Sequence, residues 1–209
     1  MGHTAFKLAK ELEKAGFLAL PFAPTVYPKD MDWKRQSGEI SHRHAAVAAG
    51  LGEFGLSGVV ITPDYGTRVR FISILTRANL PPDPPRLKQE LCDECGKCLE
   101  ACPNQALRED FRVSFEMEGT RLSYVLVDKH RCYYNILGLG PGSGGIVNRP
   151  IRQKKGRLSE KDLSANVTRA FLKKPKDSLV QFIMQHAVDW VDWCGRCLHA
   201  CTPNPRDLK

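Results

Sequence analysis

The sequence predicts an α+β chain in which a partial α/β segment, residues 1–80, precedes a small cysteine-rich segment, residues 81–209. Three observations predict it. A helix-period stretch runs straight into a strand-like run within the first 22 residues, and two further strand-like runs follow. The stiff stretch Leu80-Pro-Pro-Asp-Pro-Pro85 then acts as a linker. Beyond it lie all eight cysteines. At 209 residues and 42% hydrophobic, the chain can build one core, or a small unit joined to part of another.

Taken in order, residues 4–15 read as an amphipathic helix, with Phe6, Leu8, Ala9 and Leu12 toward a core and Gly16 as its stop. Phe17 to Phe22 (FLALPF) reads as a short buried strand. A helix that passes directly into a strand is the middle of an α/β domain, so the expectation is that an N-terminal portion is missing. Residues 23–40 read as a loop. Ser41 caps a helix through Ala49, and Gly50-Leu-Gly52-Glu-Phe-Gly55 breaks it. Residues 57–62 (SGVVIT) and 69–76 (VRFISILT) read as two strands joined by the turn Pro63-Asp-Tyr-Gly66. Arg112 to Phe115 and Tyr124 to Val127 form a small hairpin, 138–148 a Gly-rich loop, and Ser178 to Trp193 a helix that delivers Cys194.

Seven of the eight cysteines fall into two runs, Cys92-x2-Cys95-x2-Cys98-x3-Cys102-Pro103 and Cys194-x2-Cys197-x3-Cys201. A [4Fe–4S] cluster needs four thiolates at the corners of one small cube, and a C-x2-C-x2-C turn wraps three of them. The fourth cysteine of such a run ligates the other cluster in two-cluster ferredoxins. By that rule Cys92, Cys95 and Cys98 take Cys201 as their fourth ligand for the first cluster. Cys102 joins Cys194 and Cys197 for the second, and the isolated Cys132 completes it. Two competing readings fit less well. Zinc prefers two C-x2-C pairs, which leaves Cys98 and Cys102 unexplained. A disulfide framework suits a small secreted chain. Cys132 also has the reading of an ordinary buried thiol.

The formal charge is +8 at pH 7. Each loaded cluster carries about −2 with its thiolates, so two of them offset about half of that excess. Much of the rest lies in Arg149 to Arg157 (RPIRQKKGR) and in Lys173, Lys174 and Lys176. That stretch reads as a solvated loop, as a docking face for an acidic low-potential donor such as a ferredoxin or flavodoxin, or as a site for RNA. No stretch is apolar enough for a membrane span, and lysines and glutamates occupy the place of a signal-peptide core in MGHTAFKLAKELEKAG. The expectation is a cytoplasmic protein. Gly50-x-Gly52-x-x-Gly55 and Gly140-x-Gly142-x-x-Gly145 match a dinucleotide fingerprint by letter but not by context, since neither follows a strand and opens a helix.

The segment Ser41 to Thr76 (SHRHAAVAAGLGEFGLSGVVITPDYGTRVRFISILT), the Pro-rich linker, the first cysteine run, the lone Cys132 in DKHRCYYN and the closing C-x2-C-x3-C together resemble two related families. These are the epoxyqueuosine reductases and the corrinoid-dependent reductive dehalogenases. The wording AGLGEFG, ITPDYGTRVR and ILT is similar to the dehalogenase side. The resemblance implies a nitroreductase-like α/β domain with base-off cobalamin, a bacterial ferredoxin-like two-cluster domain that feeds it electrons, and reductive chemistry on an electrophilic substrate. The queuosine side implies tRNA as a partner. Aligned on Ala49 to Gly52, Gln36 falls where epoxyqueuosine reductases carry an acidic proton donor, with Asp30 and Asp32 displaced.

Within this segment His42 and His44 are candidates for facing a corrinoid or substrate, or for satisfying backbone groups at a helix start. Tyr65, in the turn, is the candidate catalytic proton donor. Arg68 and Arg70 alternate with Val69 and Phe71 on one strand face, where they can clamp an anion. A second function class remains open at this point, a ferredoxin-type carrier that feeds a separate catalytic subunit.

Overall fold

A computed structural model describes residues 2–22, 40–136 and 194–201. The loop expected over 23–39, with Asp30, Asp32 and Gln36, lies outside the described residues. So do the Gly-rich loop 138–148, the basic stretch 149–157, Lys173, Lys174, Lys176 and the helix expected over 178–193. Chain contacts divide the molecule into two compact units, one of 1–95, 113–124 and 201–209, the other of 96–112 and 125–200.

In the first unit, α1 (Gly2–Lys14) ends in a glycine-closed turn. Gly16 takes φ +88, its N–H donates to the Glu13 carbonyl at 2.9 Å, and the Phe17 N–H reaches back to Leu12 at 3.0 Å. This pairing satisfies two carbonyls that the helix end would leave bare. The buried face of α1 is Ala5 and Ala9, with Leu12 half-buried, whereas Phe6 and Leu8 are exposed, contrary to the sequence expectation. The cause is the thin layer beneath. Among the described residues α1 packs mainly on β1 (Ala19–Phe22) and β4 (Ser73–Thr76), a two-stranded antiparallel ladder that covers one narrow stripe, and small alanines let the helix approach it closely. The strand expected at 17–22 is likewise only half-covered, since Leu20 and its cross-strand partner Leu75 are 55% and 64% exposed.

α2 (His42–Ala48) begins where expected, with the Ser41 hydroxyl accepting the His44 N–H at 3.4 Å. The glycine-rich run after it does more than break the helix. It forms β2 (Glu53–Phe54), which turns back and pairs antiparallel with β3 (Val60–Ile61). Glycine is required at two points of this hairpin. A Cβ on Gly52 would lie 2.3 Å from the Ile61 carbonyl oxygen, and at Gly58, φ +69, one would lie 2.8 Å from the Tyr124 ring. The Pro63–Gly66 turn forms, with a Thr62–Gly66 bridge. The two strands flanking it are not partners. β3 pairs with β2 and β4 with β1, and residues 68–72 are irregular, so Arg68 and Arg70 share no strand face. Local alternation suggested the strands, but pairing was settled by which edges the glycines let come together.

The core of this unit is Val47, Phe54, Val60, Leu122 and Tyr124, with Phe71, Leu87, Val113, Phe115 and Met117 packed against it. Each fully buried Val, Leu or Phe contributes roughly 1.5–3 kcal/mol. The last three come from the hairpin β5 (Leu107–Met117) and β6 (Thr120–Val127), longer than expected, whose two-residue turn takes positive φ at Glu118 and Gly119. Such a turn matches the twist of paired strands. In the second unit, the short helices α3 (Lys97–Glu100) and α5 (Arg196–Ala200) pack on each other, and α4 (Lys129–Ile136) follows the hairpin.

Candidate metal centre

Cys92 is placed by a buried acid. The Glu53 side chain on β2 is 1% exposed, and its two oxygens accept three consecutive backbone N–H groups, from Glu90 at 2.9 Å, Leu91 at 2.5 Å and Cys92 at 3.1 Å. A buried carboxylate is tolerated when donors surround it, and bonds to a charged acceptor are the strong kind. Gln89 adds a bond to the Phe54 carbonyl at 3.0 Å. The chain therefore arrives at its first cysteine already tied to β2. There the Leu56 N–H points at the Cys92 sulfur at 3.2 Å. Asp93 then accepts the Cys95 N–H at 3.1 Å, and Glu94 takes φ 51, a left-handed step that curls the chain after Cys92.

The second unit holds Cys98, Cys102, Cys132, Cys194 and Cys197. Gly96, at φ 76, starts α3, which carries the buried Cys98. The Ala106 N–H points at the Cys102 sulfur at 3.1 Å. Asp128 opens α4, accepting the Arg131 N–H at 3.0 Å and pairing with its guanidinium at 3.2 Å. The Asp128 N–H in turn donates to Ala106 at 2.7 Å, which fixes the helix that bears Cys132. Cys197 lies on α5. Burial pushes its thiol from an ordinary 9.0 up to about 11, and Cys102, Cys194 and Cys98 push the same way through their charges, against an opposing backbone hydrogen bond at Leu198. Cys102, Cys194 and Cys98 are thus electrostatic neighbours of Cys197.

All eight cysteines are present as thiols. Among the described residues no group of three Cys, His, Asp or Glu converges as ligands of one metal ion do. A single zinc holds its sulfurs at about 2.3 Å, nearly touching one another. A cubane spreads its four thiolates around a larger body. The donor set here is soft sulfur with backbone N–H groups aimed at two of the sulfurs, which fits iron–sulfur chemistry.

The other candidates are dispersed. His42 pairs through Nδ1 with the Ser73 hydroxyl at 2.8 Å. His44 pairs with Ser41 at 2.7 Å and packs its ring against Phe54 and Phe115 at 4.9 and 4.8 Å. Burial, and then Arg43, push the His44 imidazole below its usual range, which favours its neutral form. Tyr65, Arg68 and Arg70 are exposed. Two signals were missed in the sequence. One is Glu53, the lone charge in the run from Gly50 to Ile61. The other is the internal repeat of Cys95-Gly-Lys-Cys98-Leu-Glu-Ala-Cys102 in Cys194-Gly-Arg-Cys197-Leu-His-Ala-Cys201, in which α3 and α5 hold corresponding places.

Residues 85–108 match the 4Fe-4S binding domain family, which makes this an α+β iron–sulfur protein with a ferredoxin-like domain. Over part of its length the chain is similar to the related reductive dehalogenases and epoxyqueuosine reductases. It is similar to a tetrachloroethene reductive dehalogenase of Desulfitobacterium hafniense, 36% identical over 113 residues, covering 53% of this chain and 18% of that protein. It is similar also to an epoxyqueuosine reductase of Bacillus subtilis, 38% identical over 71 residues, covering 34% and 18%. Among solved structures, epoxyqueuosine reductase from Streptococcus thermophilus aligns with a TM-score of 0.37 at 25% identity, over 48% of this chain and 24% of that one. The chain spans about a fifth of the length of these curated relatives. No helix among the described residues is long and apolar enough to cross a membrane.

Proposed function

We propose that this chain is the electron-delivering part of a reductase, passing electrons through two [4Fe–4S] clusters to a corrinoid that does reductive chemistry on an electrophilic substrate. In this reading Cys92, Cys95, Cys98 and Cys201 hold the first cluster, and Cys102, Cys132, Cys194 and Cys197 hold the second. The observation that carries it is the eight-thiol set, which divides into two fours by the crossed rule of two-cluster ferredoxins. Cys102 and Cys194 act on Cys197 through their charges, in keeping with the second set, and Cys98 of the first set acts on it least. Functionally the chain divides at residue 80 into a partial nitroreductase-like, corrinoid-domain-like segment and the two-cluster domain.

Cobalamin enters through the likeness to reductive dehalogenases. When bound, it supplies a strongly reducing cobalt centre, and the protein supplies position and electrostatics. Of this chain's residues, His42, His44, Tyr65 and Arg68 are the proposed contacts with corrinoid or substrate. Tyr65 is the proton donor, its phenol being exposed at a turn. The electron donor is a low-potential ferredoxin or flavodoxin, and a reducing cytoplasm keeps the thiols ready for cluster assembly. On the queuosine side the substrate is tRNA.

The test is anaerobic reconstitution with iron, sulfide and cobalamin, followed by EPR. A bound Co(II) signal beside two cluster signals is expected. Two reduction waves with no corrinoid retained at micromolar concentration would leave the electron-carrier reading instead.

A further inference from the structure

Glu53 has no assigned task in the reading above, yet it is the most heavily bonded buried acid among the described residues. It sits on β2, 1% exposed, and Phe54 beside it is anchored in the aromatic cluster of His44, Phe115 and Tyr124. Its oxygens take the N–H groups of three successive residues, the last being Cys92 itself. Leu56, three residues further along the same hairpin, sends its N–H to the Cys92 sulfur. A carboxylate placed only to stiffen a loop has no need to grip the residue that carries the thiol. This one grips the backbone of Cys92 from one side while the hairpin bonds its sulfur from another.

We propose that Glu53 is a positioning residue for the cluster that takes Cys92, and that its buried charge holds that cluster's reduction potential low. Three bonds fix where the Cys92 sulfur stands. A fixed anion close to a ligand disfavours the added electron, since cluster potential follows local charge, hydrogen bonds to the sulfurs and exposure. The Leu56 bond acts in the opposite sense, by stabilising sulfur charge. The pair therefore sets the potential from residues that touch no iron. This inference rests on the two-cluster reading.

The test uses the full chain as wild type, C92S, E53Q and E53D, each reconstituted anaerobically and followed by iron analysis and EPR-monitored redox titration. Wild type is expected to hold about eight irons, falling by about half in C92S. Failure there removes the two-cluster reading, and the inference with it, whatever Glu53 does. With that content shown, E53Q is expected to move one couple to higher potential and leave the other in place, with about half the iron lost faster to a chelator. Unchanged potentials in E53Q, or equal shifts of both couples, overturn the proposal. If E53Q does not fold, E53D carries the test, because it keeps the charge but withdraws it by one methylene. Faster chelator loss of half the iron is then expected, and wild-type retention in E53D overturns the proposal.

Discussion

Cys92 and Cys197 stand in opposite surroundings. Around Cys92 are backbone donors and a carboxylate whose bonds the fold itself satisfies. Around Cys197 are burial and other thiols, all of which resist the charged form that a cluster needs. The first is a seat held by the β2–β3 hairpin and Glu53. The second is a group of like groups that a cluster must hold together, since thiolates crowd until iron neutralises them. The difference teaches that a cysteine in a loop tied to the β2–β3 hairpin and a cysteine on the short helix α5 receive different amounts of help from the surrounding chain.

The largest expected effect separates the two groups outright. C197S is expected to cost about half of the reconstituted iron and leave the other cluster's EPR signal in place; loss of all iron would show one cooperative site rather than two seats. Next, G52A presses a methyl against the Ile61 carbonyl and the Val60 side chain, so β2 must move and carry Glu53 with it. It is expected to cost about 2–3 kcal/mol in urea unfolding. Its cluster damage should fall on the Cys92 side, and a variant as stable as wild type would show that the hairpin gives way easily.

The smallest effect is in pH. The folded, cluster-free chain holds the Cys197 proton more tightly than an unfolded chain does, with a value raised from 9.0 to about 11. That contribution to stability is fully present below pH 9 and is lost as pH rises toward 11. The urea midpoint of cluster-free protein is expected to fall across that window, less steeply in C197S. Because binding needs the thiolate, cluster assembly should release protons. Identical pH profiles for C197S and wild type would place the thiol in ordinary surroundings.

Helix α2 and its Ser41 cap, the Gly16 stop and the β5–β6 hairpin were legible because each rests on a signal local to a few residues. The exposure of Phe6 and Leu8 was not, because a period shows which residues share a face and says nothing of how wide a layer lies beneath. Strand pairing failed for the same reason. Nothing near Val60 or Ser73 names a partner, and the choice fell to Gly52 and to the docking of α1.

By itself the sequence determined the chemistry, because thiol number and spacing along a short turn are covalent facts that no packing can change. It carried the family likeness as well, in the order of AGLGEFG, the proline linker and the cysteine runs. Only the tertiary structure decided that the glutamate of AGLGEFG anchors the loop that bears Cys92. It lies 39 residues before Cys92, and a bond across that separation exists only once the β2–β3 hairpin has folded and closed around it.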